Sequence, residues 1–184
     1  MAIAVSSIGF SGCEEISKAA TFSVPITISV SPKSDNPTIP KTDQSCTDMS
    51  TNKDFMDNKD KISGGKVKEA FFQITTLTNP VFTSGTAADQ TFSTCSFTLT
   101  FDPVYGDARV YNLGTFTNVK LSDLLAGRMA VPVNTDFEDA IKLIPRRPKF
   151  CFNAVYGSFN TGPASASFIQ GKLDVTIDFS VSAL

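Results

Sequence analysis

Two segments of this chain alternate apolar and polar residues with a period of two. Phe22, Val24, Ile26, Ile28 and Val30 alternate with Ser23, Pro25, Thr27 and Ser29; Leu173, Val175, Ile177, Phe179 and Val181 alternate with Asp174, Thr176, Asp178 and Ser180. Successive side chains of a strand leave opposite faces, so each segment predicts a strand with one buried and one wet face. Pro25 has no N–H to give to a ladder, which places the first strand at a sheet edge or interrupts it there. Lys66–Leu77, Thr91–Phe101, Ala108–Asn118 and Phe150–Phe159 are further strand candidates, and Val81–Ser84 pairs locally. The apolar residues are of the kind that fits a pleated surface: sixteen Phe and three Tyr, with no Trp. A hydrophobic content of 41% over 184 residues builds one globular core, not a disordered chain.

Helix is scarce. Asn52–Lys61 predicts one or two turns anchored by Phe55, Met56 and Ile62, and Ser122–Gly127 has a cap-like start and a glycine stop. Thr135–Ile144 is the best helical segment, with Thr135 or Asp136 as its cap, acids in its first turn and Pro145 at its end. Phe137, Ile141 and Ile144 share one side, so this helix should lie over one end of the sheets. Pro32–Thr51 reads as a long surface loop, and Asp102–Asp107 as the turn of a hairpin. A parallel sheet would need a crossover helix between most strands, and those are missing. The expected fold is all-β: a single antiparallel β-sandwich, immunoglobulin-like or jelly-roll-like, with one or two short helices.

Several chemistries are excluded or weakened. Histidine is absent, which rules out Ser-His-Asp and Cys-His sites and any His-ligated zinc. Net charge is −2 and no basic stripe exists, so nucleic acid is not an expected partner. Arg146–Arg147, between two prolines, reads as a solvated turn. Ser63-Gly64-Gly65-Lys66 lacks the earlier glycine and the following Ser or Thr of a phosphate loop, and reads as a turn into a strand. Asp43, Asp48, Asp54, Asp57 and Asp60 concentrate acids; Asp54, Asp57 and Asp60 are a weak cation-binding candidate, because hard cations want converging oxygens. Lys53, Lys59 and Lys61 interleave them, which favours a solvated surface. Asp174 and Asp178 read as a wet sheet face. Of the aromatics, Phe71, Tyr105 and Tyr156 are the exposed candidates for a sugar platform. No cofactor and no catalytic residue is expected; the chain reads as a non-enzyme.

Residues Met1 to Phe10 are small or apolar, and Phe10-Ser11-Gly12 leads directly into Cys13. A short apolar stretch ending in small residues is the form of a secretory signal, and it is too short to span a bilayer. With Cys at this point it resembles a bacterial lipobox, in which the cysteine carries the lipid, although the positive segment that normally precedes is missing. The implied organisation is a signal-like segment over 1–13, a short tether over 14–20 and a β-sandwich over 21–184. Of Cys46, Cys95 and Cys151, two can form a disulfide in an exported protein; if Cys13 is free, all four can make two bridges. Parity points Cys95 inward with Phe97 and Leu99, and Cys151 outward between Phe150 and Phe152. That argues against a Cys95–Cys151 bridge and leaves the pairing open.

Taken together, the lipobox cysteine, the alternating strand Phe22–Val30, the Thr/Asp-rich loop, the run Asp57-Asn58-Lys59-Asp60-Lys61-Ile62 leading into a Val-Lys strand, and the closing strand Lys172–Val181 resemble small uncharacterised β-sandwich lipoproteins of the Bacteroidota. The resemblance spans most of the chain. The three further cysteines are not part of that pattern. It implies a membrane-anchored β-sandwich at the outer membrane or cell surface, and it transfers no functional residue. Glu14-Glu15 partly fits the acidic signal that sends such lipoproteins to the surface.

Two functions follow. The first is a lipid-anchored envelope module that binds a protein or glycan partner. The second is a self-assembling structural subunit of a fibre, shell or capsid, in which the apolar N-terminal segment is a strand given to a neighbour.

Overall fold

The computed structural model describes residues 21–30, 33–34, 38–39, 41–162, 164–165 and 168–182. Along the chain run β1 (Thr21–Val30), β2 (Lys33–Ser34), β3 (Thr38–Ile39), β4 (Lys41–Asp48), helix α1 (Lys53–Asn58) and β5 (Ile62–Thr78). There follow β6 (Thr91–Phe101), β7 (Val110–Lys120), α2 (Leu121–Ala126), β8 (Met129–Ala130), α3 (Phe137–Leu143), β9 (Lys149–Tyr156), β10 (Ala164–Ser165) and β11 (Phe168–Ser182). Every pairing is antiparallel. One sheet has the order β1-β11-β5-β8 and the other β4-β9-β6-β7. Among these eight strands, the chain changes sheet at every connection except the β6–β7 hairpin. That is the jelly-roll order.

Both period-two segments are strands, paired to each other from Phe22↔Val181 to Val30↔Leu173. Among the described residues β1 is at the edge of its sheet, so Pro25 costs the ladder nothing on its outer side and the register continues through Pro25↔Asp178. The hairpin turn forms as expected: Asp102 Oδ1 accepts from Val104 N–H, and Gly106 takes the left-handed conformation at φ 68°.

The two open sides of the sandwich are closed differently. On one, β2 bridges Gln44 of β4 and Ile169–Gln170 of β11. On the other, residues 129–134 cross between sheets: Met129 and Ala130 pair with Phe72 and Phe71, and Val133 then bridges Gly114 of β7. Such closure covers strand edges that would otherwise pair with other chains. Gly114 permits it, since a Cβ there would lie 2.2 Å from the Pro132 carbonyl oxygen.

Between the sheets the space is filled by rings. Phe72 of β5 meets Phe97 of β6 at 4.7 Å between centroids, and Phe92 stacks on Phe159 at 4.3 Å. Phe55, Phe137, Phe150, Phe152 and Phe179 are also buried. Helix α3 lies over one end as expected, with Phe137 6.2 Å from the Phe152 ring.

Four expectations need correction. Pro32–Thr51 is not one surface loop. Lys41–Asp48 is a full sheet strand, because all eight of its residues find register partners on β9. Ser63–Lys66 is strand, not turn: Gly65 is needed where Ile141 and Phe179 crowd the backbone. α2 starts at Leu121 with Lys120 as its cap residue, whereas α3 starts at Phe137 with Asp136 at the cap position, as expected. Asp136 does not cap α3 with its side chain; its carboxylate instead accepts from Arg109 and from the Asn112 N–H.

Candidate functional site

Side chains on the outer face of the β4-β9-β6-β7 sheet form rows set by the strand registers. One row runs Cys46, Cys151, Thr100, Val110, and the next runs Gln44, Asn153, Thr98, Asn112. A third runs Thr42, Val155, Ser96, Thr115, and Thr94 sits opposite Thr117. No Asp, Glu, Lys or Arg occupies any of these positions. Charges begin at the rim, where Lys149 lies 3.8 Å from Asp48.

The face is held in one arrangement. Gln44 Nε2 donates to Asn153 Oδ1 at 2.8 Å, and Asn153 Nδ2 donates to Thr98 Oγ1 at 3.3 Å. Thr115 donates to Ser96 at 3.1 Å. At one corner Cys46 and Cys151 form a disulfide across a directly paired position of β4 and β9. The outward parity of Cys151 is as the sequence implied, and the partner is Cys46, on a strand that the sequence presents as loop.

Cys95 points inward and is fully buried as a free thiol. Burial first, and the nearby Asp43 second, push its pKa up to about 12. Tyr156 is also buried, correcting its expected exposure, and burial, Asp43 and Cys95 raise its phenol well above the usual range. Buried and with its pKa raised, Cys95 is held as the thiol at pH 8, and the thiolate is the form that reacts. Iodoacetamide is therefore expected to leave Cys95 unmodified in the native protein and to alkylate it after unfolding. Peptide mass mapping checks this, and labelling in the folded state would refute it. Cys13 lies outside the described residues.

The outer face of the other sheet is charged. Lys66 pairs with Asp178, Glu69 with Thr176, and Phe71 with Asp174. Lys172 lies 3.1 Å from Asp174, and the Arg128 guanidinium sits 4.5 Å from the Phe71 ring centroid. Phe71 thus stacks on a cation and is only half exposed.

Asp54, Asp57 and Asp60 are not brought together. Asp57 pairs with Lys53 and Asp60 with Lys59, while the Asp54 backbone carbonyl accepts from Asn58. Among the described residues no group of three Cys, Asp or Glu converges as metal ligands would. Among the described residues are surface recesses of 510 Å³ beside Lys59, Lys142 and Arg146, of 380 Å³ beside the disulfide, and of 170 Å³ beside Lys66 and Phe137. No helix of the described residues is long and apolar enough to cross a membrane.

At the end of the sandwich that carries α3, an ion network joins the β6–β7 turn to the segment before β9. Arg147 pairs with Asp107 and lies over Phe101, and Arg109 reaches Asp136 at 2.8 Å. Arg147 is therefore a half-buried tie, not a purely solvated turn residue. The Arg109 N–H, the Tyr111 hydroxyl and Arg147 hold the Asp107 carboxyl below its usual pKa against the opposing effect of burial. A depressed carboxylate stabilises the fold above its unfolded pKa, near about 4, and that contribution is lost as pH falls through the folded value. Asp107→Asn is expected to weaken the fold at pH 6 and to lose this dependence, so its urea midpoint should approach that of the wild type towards pH 2.5. Parallel curves would refute the assignment.

No protein-family model matches the chain. No curated protein matches it either. Among solved structures, a chain titled Desmodium yellow mottle tymovirus aligns at 11% identity over 100% of this chain and 95% of that one, with a TM-score of 0.23. A likeness that faint carries no argument about fold or function.

Proposed function

We propose that this chain is a self-assembling structural subunit of a shell. The observation that carries the reading is the jelly-roll strand order around an interior packed with aromatic rings. Jelly rolls serve as capsid domains, lectin domains and cupins. A ligand-binding barrel keeps room between its sheets, whereas here Phe72, Phe97, Phe92 and Tyr156 occupy that space. Of the sugar-platform candidates, Tyr156 is buried, Tyr105 is partly buried and Phe71 is half covered by Arg128. A shell subunit needs neither a cavity nor a catalytic cluster; it needs a rigid body with surfaces that meet copies of itself. The inference runs from fold to role, so it stands or falls on a direct assembly measurement.

The competing reading is the exported, lipid-anchored module built on Phe10-Ser11-Gly12-Cys13. The Cys46–Cys151 bridge supports it, because such bonds persist in oxidising compartments. One preparation separates the two. Full-length protein from its native source is examined by light scattering, electron microscopy and intact mass. Closed particles with an unlipidated chain support the subunit; monomers carrying acyl mass on Cys13 overturn it in favour of the anchor.

A further inference from the structure

We infer that the uncharged outer face of the β4-β9-β6-β7 sheet docks on the same face of a second copy of this chain. The inference rests on the structural-subunit reading and names the surface and partner that it requires.

Charge separates the two faces of the sandwich. Lys66, Glu69, Lys172, Asp174 and Asp178 lie across the outer face of one sheet, while the four rows on the other hold no charged side chain. Charged residues are depleted at the cores of protein interfaces, because burying an ion costs several kcal/mol unless its partner is well placed. A two-fold contact adds a stricter condition: the surface must complement itself. Hydroxyl and amide side chains meet that condition, since each both donates and accepts. A face of fixed charges would set some like charges against each other. A charged partner would find no counter-ion among these rows, whereas a second copy of the chain presents the same donors and acceptors in return.

The face is also prepared for contact. Thr, Ser, Val and disulfide-bonded Cys have few rotamers to lose. Gln44, Asn153 and Thr98 are already held by hydrogen bonds, so little ordering remains. Two strands of about seven residues and two of about five, about 4.8 Å apart at about 3.4 Å per residue, give a patch of roughly 400 Å². Two such patches bury about 800 Å², the size of a weak contact that becomes stable when many copies repeat it.

The test adds charge where the inference forbids it. Val155→Lys with Thr117→Lys places two exposed cations on this face, neither replacing a hydrogen-bonded side chain. Gln73→Lys with Ser180→Lys places the same charge on the opposite sheet. Association of the full chain is followed by light scattering against concentration. The first variant is expected to associate at least tenfold more weakly with unchanged circular dichroism, partly restored by salt, and the second to match the wild type. A folded first variant that assembles like the wild type overturns the inference but leaves the subunit reading standing. A wild type that stays monomeric overturns both. If the first variant does not fold, hydroxyl-radical footprinting of the wild type decides: oxidation of Val155 and Val110 should fall on assembly, and unchanged oxidation refutes the docking face.

Discussion

Replacing both Cys46 and Cys151 with serine is expected to lower the stability of the fold by about 4 kcal/mol and its melting temperature by roughly 10 °C. The bridge joins residues 105 apart in sequence, so it closes a long loop in the unfolded chain and removes much of that state's entropy. In the folded chain it ties β4 to β9, and β4 needs the tie. Among the described residues, β4 pairs on its other side only through Gln44, with Lys33 of β2. Two measurements check this. Urea unfolding with and without reductant should show the wild type falling to the level of the double variant, which itself ignores reductant. Hydrogen exchange should then show β4 opening before β6, which has β7 and β9 on its two sides. A loss under about 1 kcal/mol would mean that the ladder alone holds β4 and that the bridge adds little.

Gly114→Ala is expected to cost about 3 kcal/mol or more. Its Cβ would lie 2.2 Å from the Pro132 carbonyl oxygen and 2.9 Å from Val131 Cγ1. The Pro132 oxygen is backbone and cannot rotate away, so the crossing segment must lift from β7. The bridge Val133↔Gly114 and the Asn134 N–H bond to the Leu113 oxygen then break. That opens one side of the sandwich above buried Val131 and Leu113. Gly64→Ala is the control. It is also a strand glycine, but a Cβ there meets nothing within 4 Å. It should be neutral or stabilise by up to about 1 kcal/mol, by restricting the unfolded chain. Equal losses at the two positions would show that strand propensity, and not the Pro132 contact, sets the cost at Gly114.

Period-two alternation made β1 and β11 legible, and parity along β6 and β9 placed Cys95 inside and Cys151 outside before any coordinates. Those inferences succeed because a strand's side-chain period is a property of the backbone alone. The same logic failed on β4. Lys41–Asp48 has no alternating apolar side, and its inward position at residue 43 is an aspartate. Its place in the sheet comes from the ladder that β9 offers, which no local pattern records. Tyr156 misled for a similar reason: a tyrosine near a strand end reads as a surface residue until the facing sheet covers it.

Of the candidate site, the sequence held every residue but none of its arrangement. Thr94, Ser96, Thr98 and Thr100 are visible as the polar half of β6. Nothing local says that Asn153 and Gln44 continue the second row, or that Thr115 and Thr117 join the rows of Ser96 and Thr94 beyond the irregularity between Phe97 and Thr98. Registers between strands separated by tens of residues decide that.

By itself, then, the sequence determined an all-β chain, antiparallel pairing, the inward and outward residues of β11 and of parts of β6 and β9, and a chemistry without histidine. Those follow from side-chain shape, backbone period and residue type, which act over a few residues. Tertiary structure alone decided the jelly-roll order, the pairing of Cys46 with Cys151, the closure at Gly114 and the gathering of uncharged side chains on one face. Each of these depends on which distant segments share a hydrogen-bond ladder. That choice is made by the packing of the whole aromatic interior, not by any stretch of the chain.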